Sequence, residues 1–374
     1  MPLFNKLLHS KIRNKLGTKI SQTLINKSKS AKEIKYKKYI PIKYEGEEKE
    51  EFICQIENGK VFADWGFIFT EDGFYIKDTL PLNIIDSPHE LSGRFIFYKF
   101  RKRRKIKGNV FVLKSQWHVY YGHWIHEILS RIFLLKDSKI FDEIDAFILS
   151  KYCKAKFYLD GIKLFGLDKK KIILVDDEEE IICDNLYFSS FPGISVANPP
   201  KWVCDKYLNL TKELLLKNNF QVYDKIYISR KRVKTRNILN ENELVNILSP
   251  LGYKVIYPED YSLKEQFCIF NKARKIISVL GSGLTNLVCC DKETSVLGIV
   301  SCASYEDCHR NICKTIGMKY FEYVENNPDN IKYFNKLTKD RNKNNFKIDL
   351  SLFKEKLKYF ENSQKFLFSI FNYF

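Results

Sequence analysis

Several features are missing from this sequence, and each absence excludes a class of protein. No stretch approaches the roughly 18 consecutive apolar residues of a membrane-spanning helix, and the N-terminus has no continuous apolar core of the signal-peptide type. Ten cysteines in 374 residues do not make a disulfide framework. We therefore expect a protein of a reducing cytoplasm whose cysteines are mostly buried thiols.

Common catalytic and metal-binding signatures are missing as well. There is no Walker sequence, no Gly-x-Ser-x-Gly nucleophile elbow and no Asp-x-Asp pair. The order of His123, His126 and Glu127 matches neither the zincin motif nor its inverse. We expect no metal and no other cofactor.

The residues that are present indicate a packed α/β protein of two domains. Hydrophobic residues make up 45% of the chain and aromatic residues 15%, which favours folded cores over disorder. Prolines and glycine at 192–200 mark a boundary. The predicted segments are a basic amphipathic extension and linker at 1–40, an α/β domain at 41–200, a Rossmann-like domain at 201–325, and a polar linker with a C-terminal helix at 326–374.

The net charge of +18 is concentrated in two places. Residues 1–39 hold eleven Lys or Arg against Glu33 alone, and residues 99–107 hold seven basic residues and no acid. Such clusters fit anionic partners, namely membrane lipid, nucleic acid or phosphorylated ligands. Nucleic acid is the least favoured of these, because the chain has no recognisable reading motif.

Residues 1–25 carry apolar side chains at helical spacing, with lysines between them. The apolar residues are Leu3, Phe4, Leu7, Leu8, Ile12, Leu16, Ile20 and Leu24. This pattern predicts a helix on an anionic membrane surface. A basic helix packed on the protein itself, or a frayed tail, explains the pattern equally well.

The first domain begins with short antiparallel strands, predicted at 51–54, 60–62, 66–69 and 73–76. The basic run 99–107 follows, and we expect a solvated hairpin tip there, or alternatively a contact with anionic lipid or glycan. The acidic run 176–180 is expected to be a solvated loop. A C-terminal helix with Leu350, Phe353, Leu357 and Phe360 on one side is expected to pack across the first domain or to touch a membrane.

Residues after Gly122 have helical periodicity, with Trp124, Ile128, Leu129 and Ile132 on the buried side. His123, Glu127 and Arg131 then lie at i, i+4 and i+8 on another face. In such a row the carboxylate can orient the imidazole for acid/base chemistry, and the arginine can keep the carboxylate ionised. An ordinary helical salt-bridge ladder is the alternative.

Residues 224–300 alternate strands and helices, which predicts a parallel sheet with right-handed crossovers. Asn240 and Ser262 are candidate helix caps, each with a glutamate three residues later. Ligands bind at the carboxyl ends of strands in such sheets. Residues 229–230, 258–259 and 281–283 should therefore surround one crevice, where the helix start after the glycine turn suits a phosphate.

These residues together resemble glycosyltransferase family 61. One motif is Tyr121-Gly-His123-Trp124 followed by Glu127 and Arg131. The other comprises Ile228-Ser-Arg230, Arg236, Asn240-Glu241, Gly252, Glu259, Gln266, Ala273 and Gly281-Ser-Gly-Leu-Thr-Asn286. The order and spacing fit from about residue 53 to residue 324.

The resemblance implies two Rossmann-like domains that face a cleft, as in GT-B enzymes, and an inverting transfer from a nucleotide-sugar donor. The absence of Asp-x-Asp predicts that the transfer is metal-independent. Residues 41–200 would then form the acceptor side and residues 201–325 the nucleotide-sugar side. His123, Glu127 and Arg131 are the predicted catalytic residues, opposite the donor crevice, with His123 favoured as the base because a histidine generally titrates near neutrality. The predicted donor-binding residues are Ser229, Arg230, Arg236, Gly281, Ser282, Gly283, Thr285 and Asn286.

The expected setting is the synthesis of bacterial capsule or lipopolysaccharide at the inner face of the cell membrane, with a glycan or lipid-linked glycan as acceptor. Two positions depart from the family pattern: Leu280 replaces a common histidine, and Gly298 stands where a glutamate often contacts the ribose. A non-catalytic glycan- or nucleotide-binding protein of the same fold is therefore the alternative. Turnover of a donor to free nucleoside diphosphate separates the two.

Residues 1–25 should mediate binding to anionic membranes, because their apolar stripe is flanked by lysines. Deleting them should sharply reduce co-sedimentation with anionic liposomes, and added salt should weaken the binding of the full chain. Oligonucleotides serve as the control anion. Equal liposome binding by the truncated chain would refute this prediction.

Overall fold

A computed structural model describes residues 27–63, 65–79, 102–115, 117–193, 198–301, 307–327 and 345–363. The chain divides into two compact units, Met1–Val203 and Cys204–Phe374. The amphipathic segment 1–25 and the apolar tail 366–371 lie outside the described residues. Within the described ranges, no helix combines the length and apolar character needed to cross a bilayer.

The first unit contains a mixed nine-stranded sheet. Its strands are β1 (Ser28–Lys29), β2 (Lys38–Ile42), β3 (Glu51–Phe62), β4 (Phe67–Phe69), β5 (Tyr75–Ile76), β6 (Lys102–Val112), β7 (Ala146–Ser150), β8 (Lys171–Val175) and β9 (Glu179–Ser189). The order is β1-β5-β4-β3-β9-β6-β7-β8, and β2 also pairs with β3. Strands β9, β6, β7 and β8 run parallel, so their carboxyl ends share one edge.

The long strand β3 corrects the prediction of two separate strands at 51–54 and 60–62. It pairs with β9 on both sides of Asn58, which adopts a left-handed φ of 50°. Gly59 must stay small, because a Cβ there would lie 2.6 Å from Leu186 Cδ2. The residues between the two predicted strands are therefore part of one continuous strand.

Residues 102–107 of the basic run belong to β6 and not to a hairpin tip. The acidic run is not wholly a loop, because β9 begins at Glu179. These two strands are parallel neighbours. Arg103 Nε lies 2.7 Å from Glu180 Oε2, and Arg104 Nη1 lies 3.7 Å from Glu179 Oε2. These opposite charges stabilise the pairing of β6 with β9. Neither the basic run nor the acidic run predicts this pairing by itself.

The helix predicted after Gly122 is present, and we call the whole of it α1. It comprises Tyr121–His123, a π-helical section Trp124–Leu129 and Ser130–Asp137. Trp124, Ile128, Leu129 and Ile132 are fully buried, as predicted. The other helices are α2 (Lys156–Leu164), α3 (Lys201–Lys217), α4 (Glu241–Leu248), α5 (Leu263–Lys272), α6 (Cys308–Ile316) and α7 (Leu350–Asn362).

The second unit is built on a five-stranded parallel sheet, as predicted. Its strands are β10 (Lys225–Ile228), β11 (Lys254–Ile256), β12 (Lys275–Val279), β13 (Ser295–Ser301) and β14 (Lys319–Glu325). Their order is β11-β10-β12-β13-β14, with every pair parallel. The first strand lies between the second and the third, so the topological switch point falls between β10 and β12.

The two predicted helix caps behave differently. Ser262 forms the predicted capping box with Glu265 at the start of α5. Asn240 occupies the N-cap position of α4, but its side chain makes no cap hydrogen bond. Its amide instead donates to the Ile348 carbonyl at 3.0 Å and accepts from the Ile348 N–H at 3.1 Å. Asn240 therefore anchors the C-terminal segment.

The C-terminal helix α7 packs on the sheet of its own unit, which corrects the expectation that it packs across the first domain. Phe353 and Phe360 are buried against Tyr323 and Phe321. Glu361 accepts from Lys225 Nζ at 2.6 Å and from the Tyr253 hydroxyl at 2.5 Å. Burial by itself would raise the pKa of Glu361, but these hydrogen bonds outweigh it and lower the pKa.

The described cysteines are all free, and seven of the nine are buried. Burial raises the pKa of Cys54 and Cys183 to about 12. Such thiols remain protonated and unreactive at neutral pH. They agree with the prediction of buried thiols.

Candidate functional site

The first candidate cluster is centred on the carboxylate of Glu127 in the π-helical section of α1. One oxygen, Oε1, contacts His123 Nδ1, and the other, Oε2, accepts a hydrogen bond from Ser115 Oγ. Ser115 comes just after β6, at the edge where the parallel strands of this unit end. The end of a strand and a residue one helical turn away thus contact the same carboxylate.

The two members of the predicted pair differ in accessibility. The side chain of His123 is 17% exposed, whereas that of Glu127 is 3% exposed. Because Nδ1 faces the carboxylate, it carries the hydrogen, and Nε2 is left as the basic nitrogen. The contact with Glu127 uses Nδ1, so Nε2 is the ring nitrogen that does not face the carboxylate. Within this pair, His123 can therefore accept a proton from a ligand, and Glu127 can orient it.

Arg131 does not hold Glu127 in the way we expected from the sequence. Its Nη1 donates to the Lys114 carbonyl at 3.1 Å, and its Nη2 donates to the Thr79 carbonyl at 3.4 Å. Burial lowers the pKa of Arg131 to about 10, and the charge of Glu127 opposes that shift. Arg131 thus stabilises Glu127 through its charge and ties α1 to the neighbouring backbone.

The second candidate cluster lies in the second unit at the switch point between β10 and β12. Ser229 follows β10, and its hydroxyl donates to Glu241 Oε1 at 2.8 Å. Tyr227 donates to the same oxygen at 2.7 Å, and the Lys231 N–H donates to the Ser229 hydroxyl at 3.1 Å. Ser229 therefore shapes the loop after β10. Buried Glu241, which was not among the predicted site residues, anchors Ser229.

Arg230 and Gly281 are brought into direct proximity at this edge. The Arg230 guanidinium donates to the Thr235 carbonyl through Nε at 3.2 Å and Nη2 at 3.0 Å. A Cβ on Gly281 would lie only 2.2 Å from Arg230 Nη1. The glycine at the start of the turn thus makes room for the arginine side chain. The backbone itself does not require a glycine, since the φ of 165° is extended.

The rest of the predicted glycine motif forms a 3₁₀ helix, Ser282–Cys289, that starts at the crevice. Ser282 is exposed and Gly283 is half-buried, whereas Thr285 and Asn286 are buried. Asn286 donates to Gln266 Oε1 at 3.1 Å, and Gln266 donates to the Pro258 carbonyl at 2.9 Å. Ser282 and Gly283 can meet a ligand, while Asn286 braces the loops that surround it.

Gly283 has space that the protein itself does not use. A Cβ there would make only ordinary contacts, 3.5 Å from Ile228 Cγ2 and 3.8 Å from Pro258 Cγ. Packing therefore does not require a glycine at this position. A ligand that approaches the backbone closely would supply such a requirement.

Arg236 lies in the loop after β10 with a left-handed φ of 60°, which is uncommon for a residue with a side chain. This loop also contains Arg230, Lys231, Arg232 and Lys234 and has no acidic residue from 230 to 236. Arg232 stacks over Tyr257, with its guanidinium carbon 4.1 Å from the ring centroid, and pairs with Asp260. The crevice thus has a strongly cationic border, which suits an anionic ligand.

The departure at position 298 has a structural explanation. A Cβ on Gly298 would lie 2.5 Å from the Tyr320 hydroxyl and 3.3 Å from Leu280 Cδ2. Tyr320 on β14 and the buried Leu280 therefore fill the space that a longer side chain on β13 would need. Leu280 and Gly298, the two departures from the family pattern, therefore border the same small space.

These features define an α/β protein with a buried carboxylate beside a half-buried imidazole in one unit and a cationic loop at the switch point of a parallel sheet in the other. Residues 121–297 match the family model Glycosyltransferase 61. The match confirms the predicted resemblance to this family over somewhat less than half of the chain. A search of curated proteins found no match.

Replacing Gly281 by alanine should weaken ligand binding without unfolding the protein. The added methyl group must displace Arg230, while the extended backbone tolerates it. We expect about a 10-fold loss of nucleotide affinity, the scale of one charge-assisted hydrogen bond, measured by thermal shift over a panel of nucleotides and nucleotide sugars.

Arg230→Ala should reproduce the loss caused by Gly281→Ala. Arg274→Ala removes an exposed arginine at the amino-terminal edge of the same sheet and is the charge control. Normal nucleotide binding by Gly281→Ala, or an equal loss in Arg274→Ala, would show that Arg230 is not a ligand contact.

Proposed function

We propose that this protein is an inverting glycosyltransferase that transfers a sugar from a nucleotide donor to a glycan or lipid-linked glycan acceptor. The family match indicates glycosyltransferase activity. The observation that carries the mechanism is the chain of contacts from Ser115 through Glu127 to His123, which leaves Nε2 of His123 available as a base.

In the proposed reaction the acceptor hydroxyl oxygen attacks the anomeric carbon of the donor. The hydroxyl proton passes to His123 Nε2 while the bond between the anomeric carbon and the diphosphate oxygen breaks. The bonding electrons leave with the nucleoside diphosphate, and attack from the opposite face inverts the anomeric centre. Glu127 stabilises the imidazolium that forms, because its charge lies against Nδ1.

The donor diphosphate is assigned to the switch point of the second unit. The 3₁₀ helix that begins at Ser282 presents N–H groups without partners inside the helix, and such helix starts favour anions. Arg230 and Arg236 would supply counter-charge as the leaving group develops. Residues of the first unit would serve the acceptor, and those of the second unit the donor.

The proposed setting is bacterial capsule or lipopolysaccharide synthesis, with the protein in the cytoplasm and peripheral at the inner face of the membrane. The basic amphipathic segment 1–25 supports this setting. A non-catalytic glycan- or nucleotide-binding role is the second candidate. It is favoured by Tyr320 and Leu280, which occupy the space where the family pattern often places a glutamate.

His123→Ala should lower turnover by about 10²–10⁴-fold, the usual contribution of a general base. Glu127→Gln should also lower turnover, because an amide cannot stabilise the imidazolium by charge. Nucleotide affinity and the melting temperature should change little for a catalytic role. Release of nucleoside diphosphate with a donor and acceptor measures turnover, and circular dichroism checks folding.

Two results would refute the assignment of His123 as the base. Normal turnover by His123→Ala would exclude it directly, and unfolding of both variants would show that the pair is structural. If wild-type protein binds nucleotide sugars but releases no diphosphate, the non-catalytic candidate is favoured instead.

Transfer should not require a divalent cation, because Asp-x-Asp is absent and a helix start with two arginines is available for the diphosphate. Activity should therefore survive EDTA treatment. In the described residues, no group of three or more His, Cys, Asp or Glu side chains is placed to hold a metal ion. Complete loss of activity in EDTA, restored by Mn²⁺ or Mg²⁺, would contradict a metal-free mechanism.

A further inference from the structure

Two aromatic side chains accompany His123 at the start of α1. The Trp117 ring centroid lies 4.9 Å from that of His123 at an interplanar angle of 61°, and the Tyr120 centroid lies 6.3 Å away. Tyr120 is 58% exposed. Neither residue is part of the motif that carries the family resemblance, so the resemblance does not explain why they lie beside the proposed base.

The loop that carries these rings is held in place by hydrogen bonds. His118 Nδ1 lies 2.6 Å from the Ser115 carbonyl, and the Tyr120 N–H donates to the Trp117 carbonyl at 2.9 Å. The Tyr158 hydroxyl donates to the Val119 carbonyl. The rings are therefore presented by a fixed backbone, and a ligand that stacks on them need not order the loop first.

The exposure of Trp117 is unlike that of the other tryptophans. The chain has four, and Trp65, Trp124 and Trp202 are buried with exposures of 4%, 0% and 4%. Trp117 is only half-buried. Exposed aromatic rings grouped beside a polar reactive group are a feature of ligand sites rather than of packing.

Both rings also carry a polar group. Tyr120 has a hydroxyl and is exposed, and Trp117 has an indole N–H and is only half-buried. Each ring therefore offers an apolar face together with a hydrogen-bonding group. A pyranose matches this combination, since it has an apolar face of C–H bonds and hydroxyl groups around its rim.

We propose that Trp117 and Tyr120 form the acceptor subsite and bind one pyranose ring of the glycan. The C–H face of the sugar lies on the aromatic rings, and one of its hydroxyls meets His123 Nε2. The role of this subsite in sugar transfer rests on the proposed function. A nucleobase could also stack there, but it has no hydroxyl nucleophile to give its proton to His123.

Binding can be tested without turnover, because Trp117 is the one tryptophan of the four that is not buried. Methyl pyranosides of glucose, galactose, mannose and N-acetylglucosamine are the probes, and acrylamide quenching of tryptophan fluorescence is the measurement. At least one probe should protect the fluorescence from quenching. Trp117→Phe should remove the quenchable signal, and Tyr120→Ala should weaken protection about 3–10-fold, the scale of one aromatic contact.

Tyr36→Ala is the matched control, because it removes a similarly exposed tyrosine of the same unit. It should leave protection unchanged. Failure of every pyranoside to protect Trp117 would overturn the proposal, because stacking depends on a C–H face that all of them have. Protection by nucleotides but not by pyranosides would overturn it too.

Kinetics provide a second test that separates sugar binding from support of His123. Trp117→Ala and Tyr120→Ala should raise the acceptor KM about 3–10-fold and leave kcat nearly unchanged. A fall in kcat at constant KM would mean that the rings only position the imidazole. If pyranosides bind but wild-type protein transfers no sugar, the transferase proposal fails while the glycan subsite remains.

Discussion

The burial of the Glu127 carboxylate is the constraint on which the candidate catalytic site depends. A charge removed from water is costly unless hydrogen bonds and opposite charge replace its hydration. Ser115 and His123 provide the hydrogen-bonding contacts, and Arg131 provides nearby positive charge. The same contacts favour a hydrogen on Nδ1, so the arrangement that makes the buried charge tolerable also leaves Nε2 as the nitrogen that we propose as the base.

A comparable arrangement organises the candidate donor site. Glu241 is buried and accepts hydrogen bonds from Tyr227 and Ser229, one inside β10 and one just after it. These bonds fix the start of the basic loop, from which Arg230 reaches across Gly281. In each unit a buried glutamate thus holds the segment that carries the functional side chains, although the glutamates themselves are shielded from ligands.

The departures from the family pattern belong to one local change in packing. Without a side chain at Gly298, the Tyr320 ring can occupy the space beside β13, where it lies near Leu280. A glutamate could not be restored at 298 without moving Tyr320. The space at position 298 therefore depends on Tyr320 of the neighbouring strand β14.

Local patterns were enough to determine much of this protein from its sequence. The strand segments of the second unit, the Ser262 capping box, the buried face of α1 and the contact between His123 and Glu127 all depend on residues a few positions apart. The periodicity of side chains along one element records such relations directly.

Tertiary structure alone decided the features that join distant residues. The pairing of Arg103 with Glu180, the contact of Ser115 with Glu127 and the docking of α7 on the sheet of its own unit are of this kind. In the sequence, the basic run 99–107 has no acidic residue beside it, so it looks like a solvated segment. Ser115 follows a strand, and no periodic pattern indicates its contact with Glu127. Hydrogen bonds and ion pairs depend on distance in space rather than on distance along the chain. Only the strand order and the crossovers bring these residues close to their partners.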